Sequence, residues 1–161
     1  MSQPPVPLCI DTGAFFARFN ERAAEHDRAR AVFQGIRDGE LQYGPLVTSR
    51  YVLSEFATLM RRKVGHPPAV KALETIRSAE SINVVPLGRG AFDRTCAQFA
   101  RYDGRRISFV DHSGGVLADD HDIEHISTST PMIATRWGSS WSVPIRKTRD
   151  CTPRCSRQIE P

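Results

Sequence analysis

Long apolar runs are missing from this chain of 161 residues. No apolar stretch approaches the roughly 18 residues that a membrane-spanning helix needs, so the sequence excludes a helical membrane protein and predicts no membrane partner. The first ten residues, MSQPPVPLCI, lack the basic region and the long apolar segment of a signal peptide, which predicts a cytoplasmic protein. The four cysteines are therefore expected to be free thiols rather than disulfides.

Acidic residues are scarce only at the C-terminal end. Residues 1–126 contain 16 Lys plus Arg and 16 Asp plus Glu, whereas residues 127–161 contain 6 basic and 2 acidic residues. The net charge of +4 therefore comes from the C-terminal segment. A neutral body argues against a dedicated nucleic-acid-binding surface, although a basic tail is compatible with a nucleic-acid arm.

Short β-branched or apolar runs alternate with amphipathic segments along the chain. Strands are predicted at Val6–Ile10, at Leu46–Thr48 and in INVVPL, and the helix after the second strand is expected to begin at Ser49 and stop at Gly65. Strands separated by helices of about 10 to 15 residues favour an α/β fold with a mostly parallel sheet. We expect one domain over residues 1–128 and a poorly ordered basic tail over 129–161.

Cysteine and phenylalanine placement gives two further expectations about the core. In GAFDRTCAQFARYDGR, the side chains of Phe92, Cys96, Phe99 and Ala100 are expected to face inward from one helix. Cys9, in an apolar strand, is expected to be a core residue as well.

Three carboxylates interrupt apolar segments: Asp11 in LCIDTGAFFA, Glu55 in RYVLSEFATLMRR and Asp111 in RRISFVDHSGGVLA. A buried carboxylate costs several kcal/mol unless it is paired, protonated or bound to a cation. Asp11 also follows a strand, at the end where open α/β sheets bind ligands. Because carboxylates are natural ligands of Mg²⁺ and Mn²⁺, the three together predict one metal site for phosphodiester hydrolysis.

Each acidic residue and its neighbours also have a simpler interpretation. Glu55 alone would fit a solvated helix face, and Asp111 alone would fit a residue that favours a helix N-terminus. Thr12 and Ser108 could orient the neighbouring carboxylates or a water, or could be turn and cap residues. His112 could act as a general base, but the more ordinary interpretation is a flanking residue that faces away from the site.

Four patterns in order resemble PIN-domain nucleases, especially VapC-like toxins of bacterial and archaeal toxin–antitoxin systems. They are the strand ending in Asp11-Thr12-Gly13-Ala14, the pair Ser54-Glu55 in a helix, the tract YDGRRISFVDH, and GVLADDHDIEHIST. The resemblance covers residues 8 to about 128. It implies a three-layer fold with helices on both sides of the sheet.

The same resemblance implies the activity and the partners. Asp11, Glu55 and Asp111 would hold Mg²⁺ or Mn²⁺ and would be the catalytic residues of an endoribonuclease. The substrate would be RNA, a cognate antitoxin protein would neutralise the toxin, and the toxin would form a homodimer.

The chain departs from the family pattern after Ile126. The family usually has another acidic residue just after the last core strand, but no Asp or Glu occurs here between Ile126 and Asp150. We hypothesise a reading-frame shift near residue 126, because residues 127–144 can be encoded by codons that read Asp-Phe-Asp-Ser-Asp-Asp in another reading frame. The gene sequence tests this idea. The last strand is accordingly expected to be missing or altered, with lower cation affinity.

Three alternative functions remain at this point. A nucleic-acid-binding module would use the basic runs Arg61–Lys63 and Arg105–Arg106. A zinc module would use Cys151 and Cys155, but a clear second ligand pair is absent. A catalytically impaired PIN-like protein would act only as an antitoxin-binding or nucleic-acid-binding module. No serine or cysteine hydrolase motif is present, since HSGG is not a nucleophile elbow.

Overall fold

The computed structural model describes residues 4–101, 107–128, 133–137 and 140–142. Strands and helices alternate through most of this part of the chain. The strands are β1 (Val6–Ile10), β2 (Tyr43–Ser49), β3 (Ile82–Val85), β4 (His125–Ser127), β5 (Ile133–Trp137) and β6 (Ser140–Ser142). The helices are α1 (Thr12–Phe19), α2 (His26–Arg37), α3 (Arg50–Lys63), α4 (His66–Ser78), α5 (Arg89–Arg101) and α6 (Phe109–Asp120).

The described strands form one sheet in the order β3-β2-β1-β4-β5-β6. Strand β1 lies at the centre, parallel to β2 and to β4, and β2 is parallel to β3. Leu8 pairs with Leu46 on one side and Cys9 with Ile126 on the other. The predicted α/β fold with a mostly parallel sheet is confirmed, and the first strand has the predicted bounds.

The C-terminal edge of the sheet corrects one expectation. Strand β5 pairs antiparallel with β4, and β6 pairs antiparallel with β5. A strand therefore covers the edge of β4, so the last strand is not missing, and its alteration relative to the family pattern stays a prediction. The expected poor order of the tail falls largely on residues 129–132, 138–139 and 143–161, which lie outside the described residues, so the boundary at 128 stays a prediction.

Alternation along the central strand places a core on each face of the sheet. Leu8 and Ile10 point to a cluster that includes Phe15 of α1 and Phe56 of α3, while Cys9 points to the opposite cluster. That second cluster contains Leu117, Ala118, Ile123 and Ile126, from α6 and the chain that follows it. Helices thus cover both faces, as the three-layer expectation requires. Cys9 is buried, as predicted.

Helix α3 begins and ends where the sequence predicts. The Ser49 hydroxyl accepts a hydrogen bond from the Val52 backbone N–H, which satisfies one of the free donors of the first turn. The chain leaves the helix through Gly65, whose φ of 134° lies in the region that favours glycine. Local signals therefore define both ends of the helix. They also fix which face of it is buried, namely the stripe of Val52, Phe56 and Met60.

Helix α5 is turned differently from the prediction. Its buried residues are Ala91 and Thr95, while Phe92 and Phe99 are 39% and 49% exposed. The expectation that Phe92, Cys96, Phe99 and Ala100 face the core is therefore wrong, because Cys96 and Ala100 are exposed as well. The phenylalanines instead contact other aromatic rings near the surface, Phe92 stacking on Tyr51 with ring centroids 6.3 Å apart.

Two alternatives from the sequence can be compared with the described residues. None of the described helices is long and apolar enough to cross a membrane. Cys151 and Cys155, on which a zinc module would depend, lie outside the described residues, as do Arg105 and Arg106.

Candidate active site

Asp11 lies directly after the central strand, between β1 and α1. It occupies the position before the first turn of α1, but its side chain makes no capping hydrogen bond there. Its backbone N–H donates to the carbonyl oxygen of Ser127 at 3.0 Å, which places it beside the end of β4. The carboxylate is therefore positioned by the backbone at the carboxyl ends of parallel strands, the edge where ligands bind in open α/β sheets.

Glu55 projects from the middle of α3 next to the buried stripe of that helix. Its side chain is half-buried, and the Thr12 hydroxyl donates to its Oε2 at 2.5 Å. The solvated-face interpretation of Glu55 is therefore wrong. The hydroxyl of Thr12, which is 6% exposed, orients Glu55 rather than its chain neighbour Asp11.

Asp111 combines the two roles that the sequence left open. It occupies the third position of α6, where its backbone N–H donates to the Ser108 hydroxyl at 3.1 Å. In return its own Oδ2 accepts from the Ser108 N–H at 2.6 Å, completing a capping box. Asp111 thus starts the helix, and its exposed carboxylate also lines the same cleft as the other two acids.

The three carboxylates line one open cleft of about 570 Å³. Partial burial raises the pKa of Asp11 to about 6, and the negative charges of Asp111 and Glu55 add to this effect, while a hydrogen bond from the Thr12 backbone opposes it. Like charges must be close to influence one another in this way. The structure therefore brings together the three residues that the sequence selected.

One observation favours a divalent cation in this cleft, and one observation does not. Three carboxylates that repel one another form a suitable donor set for a hard cation that prefers oxygen ligands. However, no three His, Cys, Asp or Glu side chains in the described ranges are already arranged to hold a metal ion. Two of the three carboxylates already accept hydrogen bonds, Glu55 from the Thr12 hydroxyl and Asp111 from the Ser108 N–H. The three acids fit a divalent cation in their chemistry and in lining one cleft.

His112 does not belong to the cleft. It is 8% exposed, and its ring lies edge-on to Phe99 with centroids 5.9 Å apart. The interpretation as a flanking residue that faces away is therefore supported, and a role as general base is not.

Sequence reasoning missed part of the cleft lining, and it named Arg62 only within the basic run Arg61–Lys63. Tyr51, Thr58, Leu59 and Arg62 of α3 line the same cleft as Glu55. Their separations from Glu55 of three, four or seven residues are the helical spacing of one face. That spacing was a usable signal once Glu55 had been selected.

Comparison with known proteins adds a family to this geometry. The family model for the PIN domain matches residues 8–130. No curated protein matches the chain.

Solved structures of toxin–antitoxin proteins are also similar to this chain. The Mycobacterium tuberculosis VapC20 structure, described as a sarcin–ricin loop cleaving toxin, has 25% sequence identity and a TM-score of 0.67. The match covers 75% of this chain and 88% of that one. A toxin–antitoxin complex from Klebsiella pneumoniae has 14% identity and a TM-score of 0.50, over 74% of this chain and 82% of that one, and shows likeness of fold alone.

Proposed function

Because the chain belongs to the PIN domain family, we propose that it is the endoribonuclease toxin of a toxin–antitoxin system. The observation that carries this proposal is the cleft in which Asp11, Glu55 and Asp111 lie close enough for their charges to interact. The likeness to a VapC toxin that cleaves the sarcin–ricin loop supports RNA as the substrate class. Hydrolysis of an RNA phosphodiester bond assisted by Mg²⁺ or Mn²⁺ is the reaction that these side chains suit.

The roles of the residues follow from their positions. Asp11 and Asp111 would hold the cation, and Glu55 would be a third ligand or the acceptor of the proton from the attacking water. Thr12 keeps the Glu55 carboxylate directed into the cleft through its hydrogen bond. The bound cation would supply a more acidic water and would offset negative charge on the phosphate.

A catalytically impaired PIN-like protein is the second candidate, and one observation favours it. Asp11 is hydrogen-bonded to the end of β4 at Ser127, and the next residue is Thr128. These positions carry hydroxyl groups near where the family usually has its fourth acid. Such a protein would still bind an antitoxin or a nucleic acid without cleaving RNA.

Cleavage of RNA by the purified chain in Mn²⁺ or Mg²⁺ separates the two candidates. We expect cleavage by the parent chain, loss with EDTA, and a fall of at least about a hundredfold for Asp11→Asn, in the range seen when a positioned proton-transfer or charged group is removed. Asp93→Asn is the matched control, because Asp93 is exposed on α5 and does not line the cleft. Equal activity of the parent and Asp11→Asn, or none in either, would refute the active nuclease.

The partners and location are part of the same proposal. We propose a cytoplasmic homodimer that a cognate antitoxin binds. Co-expression with the product of the adjacent gene tests the antitoxin, and the molar mass of the purified chain by light scattering tests the dimer. A chain that stays monomeric and does not co-purify with that product would contradict both.

A further inference from the structure

Arg62 is a positively charged residue of the cleft to which the proposed mechanism assigns no role. The lining residues that the structure describes include three carboxylates and, among Lys and Arg side chains, Arg62 alone. Arg62 is exposed and has no ion-pair partner among the described residues. A guanidinium left unpaired beside an acidic cleft is available to an anion that enters the cleft.

The position of Arg62 along α3 separates it from the acidic centre. It lies seven residues after Glu55, which is about 10 Å along a helix axis. Two intact helical turns hold this separation, and residues Thr58 and Leu59 line the cleft between the two ends. The backbone of Arg62 is therefore offset from Glu55 along the cleft, where an anionic group that neighbours the reacting one would lie.

The other polar side chain on this part of the helix is less available as a donor. The Thr58 hydroxyl already donates to the Ser54 carbonyl oxygen at 2.9 Å. Arg61 and Lys63 are exposed neighbours that do not line the cleft. Of these three consecutive basic residues, Arg62 alone lines the cleft that contains the three acids.

We propose that Arg62 binds a phosphate of the RNA strand that flanks the scissile bond and so sets the position of the strand over the carboxylates. This inference rests on the proposed nuclease function. The planar guanidinium suits two parallel hydrogen bonds to phosphate oxygens, which an ammonium cannot reproduce. Arg62 is a substrate-binding residue in this account, since it touches substrate away from the reacting atoms.

RNA binding measured without cleavage tests the proposal directly. Labelled single-stranded RNA is titrated with the Asp11→Asn chain in Mn²⁺, alone and combined with Arg62→Ala, Arg62→Lys or Arg61→Ala. We expect Arg62→Ala to raise Kd about tenfold and to lower the slope of log K against log salt by about 0.7, the value for one contact to a single-stranded phosphate. Arg62→Lys should keep the slope while losing part of the affinity, and Arg61→Ala should change Kd less than about twofold, as an exposed charge outside the cleft.

Cleavage kinetics separate this inference from the function on which it rests. In the cleaving parent background, Arg62→Ala should raise KM more than it lowers kcat. Equal effects of Arg62→Ala and Arg61→Ala, or no binding of RNA at all, would overturn the inference. If the parent chain binds RNA through Arg62 but does not cleave it, the nuclease proposal fails and the phosphate contact stands.

Discussion

Replacement of Asp11 by Asn should stabilise the metal-free protein, although it should abolish activity. The carboxylate lies beside two others, and its pKa of about 6 is raised from 3.8 mainly by burial and then by the charge of Asp111. An acid whose pKa is raised on folding binds a proton more readily in the folded state. Stability is therefore lost as pH rises from about 4 to about 6, and the loss persists at neutral pH.

The size of the effect follows from the shift. A rise of about two pKa units corresponds to about 3 kcal/mol, at 1.36 kcal/mol for each unit. Asp11 is only part-buried, so solvent screening reduces the expected gain to about 1 to 2 kcal/mol. For a chain of this length that gain corresponds to a rise in Tm of about 2 to 8 °C. Asn retains an oxygen that can accept the hydrogen bond from the Thr12 backbone.

Thermal unfolding in EDTA, measured from about pH 4 to pH 8, is the assay. The Tm of Asp11→Asn should be higher than that of the parent at neutral pH and equal to it near pH 4. The Tm of Asp93→Asn should equal that of the parent at every pH. Addition of Mn²⁺ should stabilise the parent more than Asp11→Asn, because a ligand stabilises the state that binds it. A variant no more stable than the parent at neutral pH would show that the three carboxylates do not share a strained site.

Two predictions concern the fold. Burial lowers the pKa of His125, so stability should fall as pH drops below about 6.5, where the unfolded chain binds a proton that the folded chain resists. His125→Phe preserves the aromatic contact with Tyr43 and should flatten this fall in urea unfolding curves, and an unchanged pH profile would exclude His125 as its source. Ser49→Ala removes the cap bond to the Val52 N–H and should cost about 1 kcal/mol by urea unfolding, and a loss below about 0.3 kcal/mol would contradict the cap.

The elements that carry the site were predictable because their signals are local. Strand β1 is a short apolar run that ends at a carboxylate, and α3 has a capping serine and a terminal glycine in its own sequence. The convergence of Asp11, Glu55 and Asp111 followed from the cost of placing each carboxylate beside apolar residues. The roles of Thr12 and Ser108 could be narrowed only by geometry, because a hydroxyl next to an acid in sequence can face a different acid in space.

The orientation of α5 could not be predicted from its own residues. Apolar side chains occur around much of its circumference, so the periodicity permits more than one buried face. The structure buries the small residues Ala91 and Thr95 and leaves Phe92 and Phe99 part-exposed. Helix α5 contacts α6, and the rings of Phe92 and Phe99 pack against Tyr51 of α3 and Phe109 of α6. That choice depends on the neighbouring helices and not on the helix itself.

The hydroxyl residues at the end of β4 affect the site through charge. A carboxylate there would lie near Asp11, since the Asp11 N–H already donates to the Ser127 carbonyl oxygen. Without that carboxylate, the metal-free protein has less charge repulsion at the site. The site also attracts a cation less strongly, because fewer charged ligands bind a cation more weakly. Stability without metal and affinity for metal are thus opposed at this edge of the sheet. Activity assays should therefore extend to high Mn²⁺ concentration before the chain is judged inactive.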